Sequence, residues 1–210
     1  MDNSMLNVTG NDAIVDWVML EIYEETNLGN VLYRRALLLQ RDGDAVDAAT
    51  GEAVLYLEGL AEGDYLVSLR HRNHLDVFTT EAVTLSYGTT QLVDFGLPTT
   101  LVSGLDSRLE VGGSALMWAG DANVSQTAIA NGPGQDTNVV LGQVLTAPGN
   151  TLFNANYLLP GYQAGDFNLD GTAIFTGPGN DINILLGNIL LHPQNSTFAA
   201  NYIIRGSFGQ

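Results

Sequence analysis

Two short stretches of the chain carry an oxygen-bearing side chain at every second position. The first stretch holds Asp121, Asn123 and Ser125, and the second holds Asp166, Asn168 and Asp170. Alternate side chains of a tightly curled loop converge on one point. Carboxylate, amide and hydroxyl oxygens are the hard ligands of Ca²⁺, which takes six to eight of them at about 2.3 to 2.6 Å. The pattern therefore predicts two calcium-binding loops.

The fourth ligand of such an EF-hand-type loop is a main-chain carbonyl, which by position comes from Thr127 and Thr172. The closing acid should be the twelfth residue, but positions 132 and 177 are glycine. Both stretches place an aspartate four residues later, Asp136 and Asp181, directly after a Gly-Pro-Gly element. We expect this element to bulge out and return the chain to the ion, with the aspartate placed as an N-cap residue of a helix.

The first loop is the weaker of the two predictions, because Ser125 and Gln126 stand where the second loop has Asp170 and Gly171. Gly171 permits a sharp turn that other residues adopt at a cost. The alternative for both loops is an Asx-rich turn followed by a capped helix, without any metal.

Both loops belong to a repeat of 45 residues, in which 119–163 align with 164–208 and roughly half of the positions are identical. Each copy continues into an apolar segment, 139–145 and 184–191, which predicts a helix. Gly142 and Gly187 lie at the same place inside these segments. This predicts close approach of the two helices about a pseudo-twofold axis, unless the glycine is only a weak spot inherited by duplication.

With these motifs in place, residues 119–208 resemble a divergent type I dockerin module. The string G-D-x-N-x-D-G…T-G-P-G-N-D resembles the variant at the C-terminal ends of large surface proteins of Bacteroidetes-type bacteria. The resemblance implies a duplicated, EF-hand-like pair of calcium loops and helices. Dockerins bind cohesins, so it also implies a cohesin-like receptor as one candidate partner.

The N-terminal half reads as short strands separated by turns, which favours a β-sandwich. Strands are predicted over 14–23, 31–40, 54–57, 65–70, 82–85 and 91–95. The stretch 59–67 resembles the turn and strand of Ig-like or carboxypeptidase-regulatory-like sandwiches. The stretches 15–18, 41–44, 63–65 and 70–75 resemble the domain that precedes the dockerin-like pair in the same surface proteins. The predicted chain is mainly β with a small α part: 1–12 an N-terminal extension or strand, 13–98 an Ig-like β-sandwich, 99–118 a linker or strand, and 119–210 the dockerin-like domain.

The chain has a net charge of −16, all seven of its cations are arginine, and it has no cysteine. Such acidity repels phosphate backbones and disfavours nucleic acid as a partner. No apolar run approaches the roughly 18 residues of a membrane-spanning helix. Without disulfides, a secreted protein of this kind needs another source of rigidity, and calcium is the obvious one.

One string, 70–74 (Arg-His-Arg-Asn-His), has residues that could bind a metal or an anionic substrate. We expect it to be structural, packing a loop against a neighbouring strand or the second domain, because no nucleophile motif accompanies it. No nucleophile elbow, P-loop, zincin or dinucleotide-binding fingerprint is present in the sequence. The sequence therefore predicts no enzyme and no catalytic residue.

The function predicted from the sequence is a calcium-stabilised structural or adhesive protein, extracellular or on the cell surface. Its partner would be copies of itself in a fibre, with ends such as 5–9 or 202–208 added to a neighbour's sheet. One alternative is a docking module that binds a cohesin-like receptor through one of its helices. The other is a carbohydrate-binding or hydrolytic accessory domain, with a glycan as ligand.

Overall fold

A computed structural model of the chain describes residues 3–207. It is mainly β, as the sequence predicts, with antiparallel strands and two α-helices in the described part. The elements in chain order are β1 (Ile14–Glu24), β2 (Asn27–Gln40), β3 (Ala45–Asp47), β4 (Gly63–His71), β5 (Val77–Phe78), β6 (Val83–Leu85), β7 (Arg108–Val111), β8 (Ser114–Met117), β9 (Thr127–Ile129), α1 (Asp136–Thr146), β10 (Leu159–Pro160), β11 (Thr172–Ala173), α2 (Ile182–Leu191) and β12 (Ile203–Arg205). None of the described helices is both long enough and apolar enough to cross a bilayer.

The chain divides into two compact units. The first contains the residues up to His71, then Val77–Ser103 and Gly112–Ala115. The second contains Arg72–Asp76, Gly104–Val111 and the residues from Leu116 onward. The short segment Arg72–Asp76 therefore belongs to the second unit, although it lies in sequence between two strands of the first.

The first unit is built on one six-stranded antiparallel sheet with the order β3-β2-β1-β4-β5, in which β6 also pairs with β4. Its centre is the long β1–β2 hairpin, paired from Ile14 with Gln40 to Glu24 with Asn27. Alternate residues of β1 face the core, where Val18, Leu20 and Ile22 are buried. This is the alternation that the sequence predicts for a strand with one core face.

Two of the predicted strands, 54–57 and 91–95, are not strands. Leu55, Leu57, Val93 and Phe95 instead pack on the core face of the sheet while no described strand pairs with their backbones. The alternating apolar pattern correctly indicates that one side of each segment faces the core. It did not reveal that these segments cover the sheet without forming a second hydrogen-bonded one.

The two stretches that flank the predicted sandwich contain short elements of their own. In the N-terminal stretch the described residues Asn3–Asn7 form a 3₁₀ helix, not a strand. The stretch 99–118 contains β7 and β8, which pair with each other as a two-stranded sheet.

The second unit has its own core, in which α1 and α2 contribute Val140, Val144, Leu185 and Ile189, all fully buried. Both predicted helices are present, and each extends beyond the apolar segment that predicts it. Trp118 is buried in the same cluster.

Strand pairing in the second unit crosses between the two sequence repeats. β10, at the end of the first repeat, pairs with β11 of the second, and Leu159 lies opposite Ala173. β12, at the end of the second repeat, pairs with β9 of the first, and Ile204 lies opposite Ala128. These two pairings are related by the 45-residue shift. In each repeat, the strand that follows the loop is therefore paired with the last strand of the other repeat.

Glycines do bring the two repeats close together, but they are not the predicted ones. A Cβ atom on Gly120 would lie 2.6 Å from Leu185 Cδ1 in α2, and one on Gly165 would lie 3.1 Å from the methyl groups of Val140 in α1. These contacts are reciprocal, as a pseudo-twofold relation requires. The prediction for Gly142 and Gly187 is wrong, because a Cβ atom at either position would meet nothing within 4 Å.

Candidate metal centre

The first loop is wound around the carboxylate of Asp121, which is almost fully buried. Its Oδ1 accepts a hydrogen bond from the backbone N of Ser125 at 2.8 Å, and its Oδ2 accepts one from Gln126 N at 2.8 Å. Asn123 Oδ1 also accepts from Ser125 N, at 2.9 Å. These bonds curl the chain around the Asp121 carboxylate, while Asn123 and Ser125 remain exposed.

The second loop repeats this arrangement around the buried Asp166. Its Oδ1 accepts from Asp170 N at 3.1 Å, and its Oδ2 accepts from Gly171 N at 3.0 Å. Asn168 Oδ1 accepts from Asp170 N at 3.0 Å. The two loops therefore have the same backbone hydrogen bonds at positions 45 residues apart.

The backbone of each loop passes through the left-handed region twice. Val124 and Leu169 both have φ of 58°, while Gln126 has φ of 66° where Gly171 has 88°. A left-handed conformation costs a non-glycine residue roughly 1 to 2 kcal/mol. Gln126 thus follows the backbone path of Gly171 at a cost that the second loop avoids at this position.

The closing acid of the first loop does return to the loop, as predicted. Asp136 is fully buried, and its Oδ1 accepts a hydrogen bond from Asn123 N at 3.3 Å while its Oδ2 accepts from Ile129 N at 2.9 Å. The backbone N–H of Ala122 also hydrogen-bonds this carboxylate. The Gly-Pro-Gly element of the first loop, 132–134, is exposed, and the chain turns inward after it to reach Asp136.

In the second loop Asp181 is equally buried and makes the equivalent contacts. Its Oδ1 accepts from Phe167 N at 2.7 Å and from Asn168 N at 3.4 Å, and its Oδ2 accepts from Ile174 N at 2.8 Å. Neither closing aspartate caps its own helix with a side-chain hydrogen bond. Asp181 does occupy the N-cap position of α2, as predicted, whereas Gln135 occupies that of α1, directly before Asp136. Both carboxylates accept hydrogen bonds from their loops instead.

Each loop gathers two buried carboxylates of like charge. Burial raises the pKa of Asp136 to about 7, and the charge of Asp121 acts in the same direction. Burial also raises the pKa of Asp181, again with a smaller contribution of the same sign from Asp166. A buried carboxylate pair of this kind is stabilised by a cation.

No family model, no curated protein and no solved structure matches the chain.

The other predicted ligands make local hydrogen bonds within their own loops. Ser125 Oγ lies 2.8 Å from Thr127 Oγ1 and 3.3 Å from the Thr127 carbonyl oxygen, so these first-loop oxygens lie together. In the second loop Asp170 is exposed, and it accepts hydrogen bonds from Thr172 N at 2.9 Å and from Asn168 Nδ2 at 3.0 Å.

Within residues 3–207, no three His, Cys, Asp or Glu side chains lie together as a metal-binding group. The first loop has only the carboxylates of Asp121 and Asp136, and the carboxylate of Asp170 in the second is held by its own neighbours. A cation in either loop would therefore also need amide, hydroxyl or carbonyl oxygens, which Ca²⁺ accepts readily.

The string 70–74 has structural contacts, as the sequence analysis expects. In the first unit, Arg70 Nη1 lies 3.6 Å from Glu21 Oε2, and His71 Nε2 lies 3.1 Å from Asp16 Oδ2. Arg72 and the residues after it belong to the second unit and contact its loops, as described below.

The first unit contains a cleft of about 510 Å³. Arg35 and Asp47 line it, together with the exposed ring of Tyr56. The Asp47 carboxylate is committed to structure, because it pairs with Arg35 and accepts hydrogen bonds from Ala49 N and Thr50 N. The cleft therefore gives no support to a hydrolytic role for this carboxylate.

Two buried asparagines hold the turns that follow α1 and α2 through side-chain hydrogen bonds, and neither was predicted as a functional residue. Asn150 Nδ2 donates to the carbonyl oxygens of Val144 and Asn154, and Asn195 Nδ2 donates to those of Ile189 and Ala199. Both are buried, and both also accept a backbone hydrogen bond through Oδ1. Their identity at equivalent positions of the repeat was the available signal.

Proposed function

We propose that the chain is a non-enzymatic structural or adhesive protein, extracellular or on the cell surface, stabilised by calcium in two loops. It combines a sandwich-like domain of Ig type with a dockerin-like repeat pair, and it associates with copies of itself into a fibre. The observation that supports calcium most directly is the buried, like-charged carboxylate pair at the same place in each loop. The chain has a net charge of −16, which attracts divalent cations, and it has no cysteine that could form a stabilising disulfide.

The residues of both loops fit this ion in chemistry, because every candidate donor is a hard oxygen. Those that would hold it are Asp121, Asn123, Ser125, Thr127 and Asp136 in the first loop, and Asp166, Asn168, Asp170, Thr172 and Asp181 in the second. The ion would offset the repulsion between the buried carboxylates and join each loop to its following helix. Calcium binding would then be part of folding rather than an accessory to it.

Thermal unfolding with and without chelator tests the calcium proposal. An ion present at 100 times its dissociation constant stabilises the fold by about 2.7 kcal/mol per site. We expect EDTA to lower the melting temperature of the wild type, and Asp181→Ala to remove part of that response. A melting temperature that EDTA leaves unchanged in both proteins would show that the loops are only turns.

The fibre is supported by the length of the chain and by the lack of a catalytic motif in its sequence, but the strands expected to form it are not available. Residues Asn3–Asn7 are helical, and Ile203–Arg205 already pair with β9; Phe208 lies outside the described residues. The outer side of β2 from Asn27 to Ala36 has no strand partner among the described residues, since β3 pairs only with Leu37, Leu38 and Leu39. Such an edge can accept a strand of another molecule.

Size-exclusion chromatography and negative-stain microscopy, each with and without calcium, test the assembly. We expect calcium-dependent oligomers or filaments of the full chain. Discrete monomers under every condition would remove the fibre from the proposal and leave the calcium-stabilised module.

The second candidate function is a docking module for a cohesin-like receptor. The observation that favours it is the outer face of α2, where the apolar side chains of Ile184 and Leu191 are exposed. If a receptor covers this helix, Leu191→Asp should weaken its binding to the chain. If the chain forms a fibre through β2, the same substitution should leave fibre formation unchanged.

A further inference from the structure

The segment Arg72–Asp76 runs directly beside the residues that lead into the first loop. The carbonyl oxygen of Asn73 accepts hydrogen bonds from Gly120 N at 2.9 Å and Asp121 N at 3.1 Å. Leu75 N donates to the Trp118 carbonyl oxygen at 2.8 Å. Asn73 and Leu75 have no exposed surface, so no water replaces these bonds when they break. The backbone position of Asp121 is therefore tied to that of Asn73.

The same segment is bonded to the second loop. Asn73 Nδ2 donates to the carbonyl oxygen of Asp166 at 2.6 Å, and Arg72 Nη2 lies 3.6 Å from the Asp166 carboxylate. Arg72 also donates to the carbonyl oxygen of Gln163, and its guanidinium lies 4.3 Å from the centre of the Tyr162 ring. Asp166 is therefore held through both its backbone and its side chain.

Asn73 thus contacts the first ligand position of both loops. Its carbonyl oxygen accepts a hydrogen bond from Asp121 N, and its Nδ2 donates one to the carbonyl oxygen of Asp166. Asp121 and Asp166 are 45 positions apart, at equivalent places of the repeat. The loops are related by a pseudo-twofold arrangement, whereas Asn73 is a single residue from outside the repeat. Asn73 therefore cannot move together with one loop unless its hydrogen bond to the other loop breaks.

We propose that Asn73 couples the two loops, so that an ion in one raises the calcium affinity of the other; this rests on the calcium binding proposed above. An ion that orders Asp121 also orders Asn73, and Asn73 in turn holds the backbone of Asp166. The second ion then meets a loop that has already lost part of its conformational freedom. By linkage the effect is the same in either order of binding.

Calorimetric titration of the full chain with calcium chloride measures this coupling. Asp136→Asn leaves only the second loop active, and Asp181→Asn leaves only the first. The coupling factor is the product of the two stepwise association constants of the wild type, divided by the product of the constants of these two variants. We expect a factor of about 5 to 100.

In the Asn73→Ala background we expect the factor to fall to about 1. The first loop should keep its own affinity, because the backbone carbonyl of residue 73 remains. If circular dichroism shows that this variant does not fold, Asn73→Ser keeps a smaller donor in the same space and should give an intermediate factor. Asn138→Ala is the matched control, since Asn138 is an exposed residue of α1, and it should leave the factor unchanged.

A factor of about 1 in the wild type, or one that the changes at Asn73 leave unaltered, would overturn the coupling while calcium binding stands. A wild type that takes up no calcium in the millimolar range would contradict the proposed function itself. The two failures are therefore distinguished by the same titrations.

Discussion

The two loops differ at the positions of Ser125 and Gln126, which are Asp170 and Gly171 in the second loop, yet their backbones make the same hydrogen bonds. The shared aspartates and asparagines thus fix the geometry. The differing residues change the charge and the backbone strain. The second loop has more carboxylates, but one of its aspartates also faces Arg72, so a count of acids alone does not rank the two loops.

The largest expected effect tests whether the closing acids are equivalent. Asp136→Ala and Asp181→Ala each leave buried backbone N–H groups without an acceptor, which costs about 1 to 3 kcal/mol per group. We expect each change to lower the free energy of unfolding in calcium by about 3 kcal/mol or more, as measured by urea denaturation. A change that affects only one of the two would break the equivalence of the loops.

The asparagines after the helices should also behave alike. Asn150→Ala and Asn195→Ala each remove two donated hydrogen bonds and one accepted one in a buried turn. We expect a loss of about 2 kcal/mol for either variant, independent of calcium. Asn156→Ala, at an exposed position of the first repeat, should change little in the same urea titration and serves as the control.

Exchange of the turn residue tests where the two loops differ in strain. Gln126→Gly removes a non-glycine residue from φ of 66°, so we expect a gain of about 1 kcal/mol in unfolding free energy. Gly171→Gln should lose about 1 to 2 kcal/mol, although no atom lies within 4 Å of the new Cβ. Changes of the same sign in both variants would contradict the strain argument.

The helix glycines give a smaller effect. Since a Cβ atom at Gly142 or Gly187 meets nothing within 4 Å, alanine at either position should raise the unfolding free energy by up to about 1 kcal/mol. Thermal denaturation of the two variants measures it. If alanine destabilised both, the helices would approach each other more closely at these positions than the structure indicates.

The smallest effect concerns His192, which has Ala147 as its counterpart in the first repeat. Burial between Trp118 and Tyr202 lowers the pKa of His192, and the hydrogen bond to the Asp106 carbonyl oxygen partly opposes this. The unfolded state therefore binds a proton more readily, so stability present above pH 6.5 is lost as the pH falls through the lower, folded pKa. We expect His192→Phe to flatten this part of the stability profile relative to the wild type.

Much of the second unit could be predicted from sequence because duplication marks equivalent residues. The 45-residue period located both helices, both loops and the displaced aspartates. It could not show that Gly120 and Gly165 contact the opposite helix, because a glycine's neighbours are set by packing. The position of Asn73 was also beyond sequence reasoning, since its bonds reach residues almost 50 and more than 90 positions away.

The first unit was predictable to a lesser degree. Alternation of apolar residues identified β1, β2 and β4, where one face is buried. The same alternation in 54–57 and 91–95 predicted strands that do not form, because a pattern of burial says nothing about whether another strand is available for pairing. The two hydrogen bonds that the Asp170 carboxylate accepts, from Asn168 Nδ2 and Thr172 N, were likewise not predictable from the spacing of the acids.

Because β10 pairs with β11 and β12 pairs with β9, neither 45-residue repeat has all of its strand pairs by itself. Each carries at its end the strand that the other requires. Two separate polypeptides, each with one repeat, could form the same two strand pairs with each other, as the subunits of a symmetric dimer do. Deleting β12 would leave β9 without its pairing partner, and deleting β10 would do the same to β11.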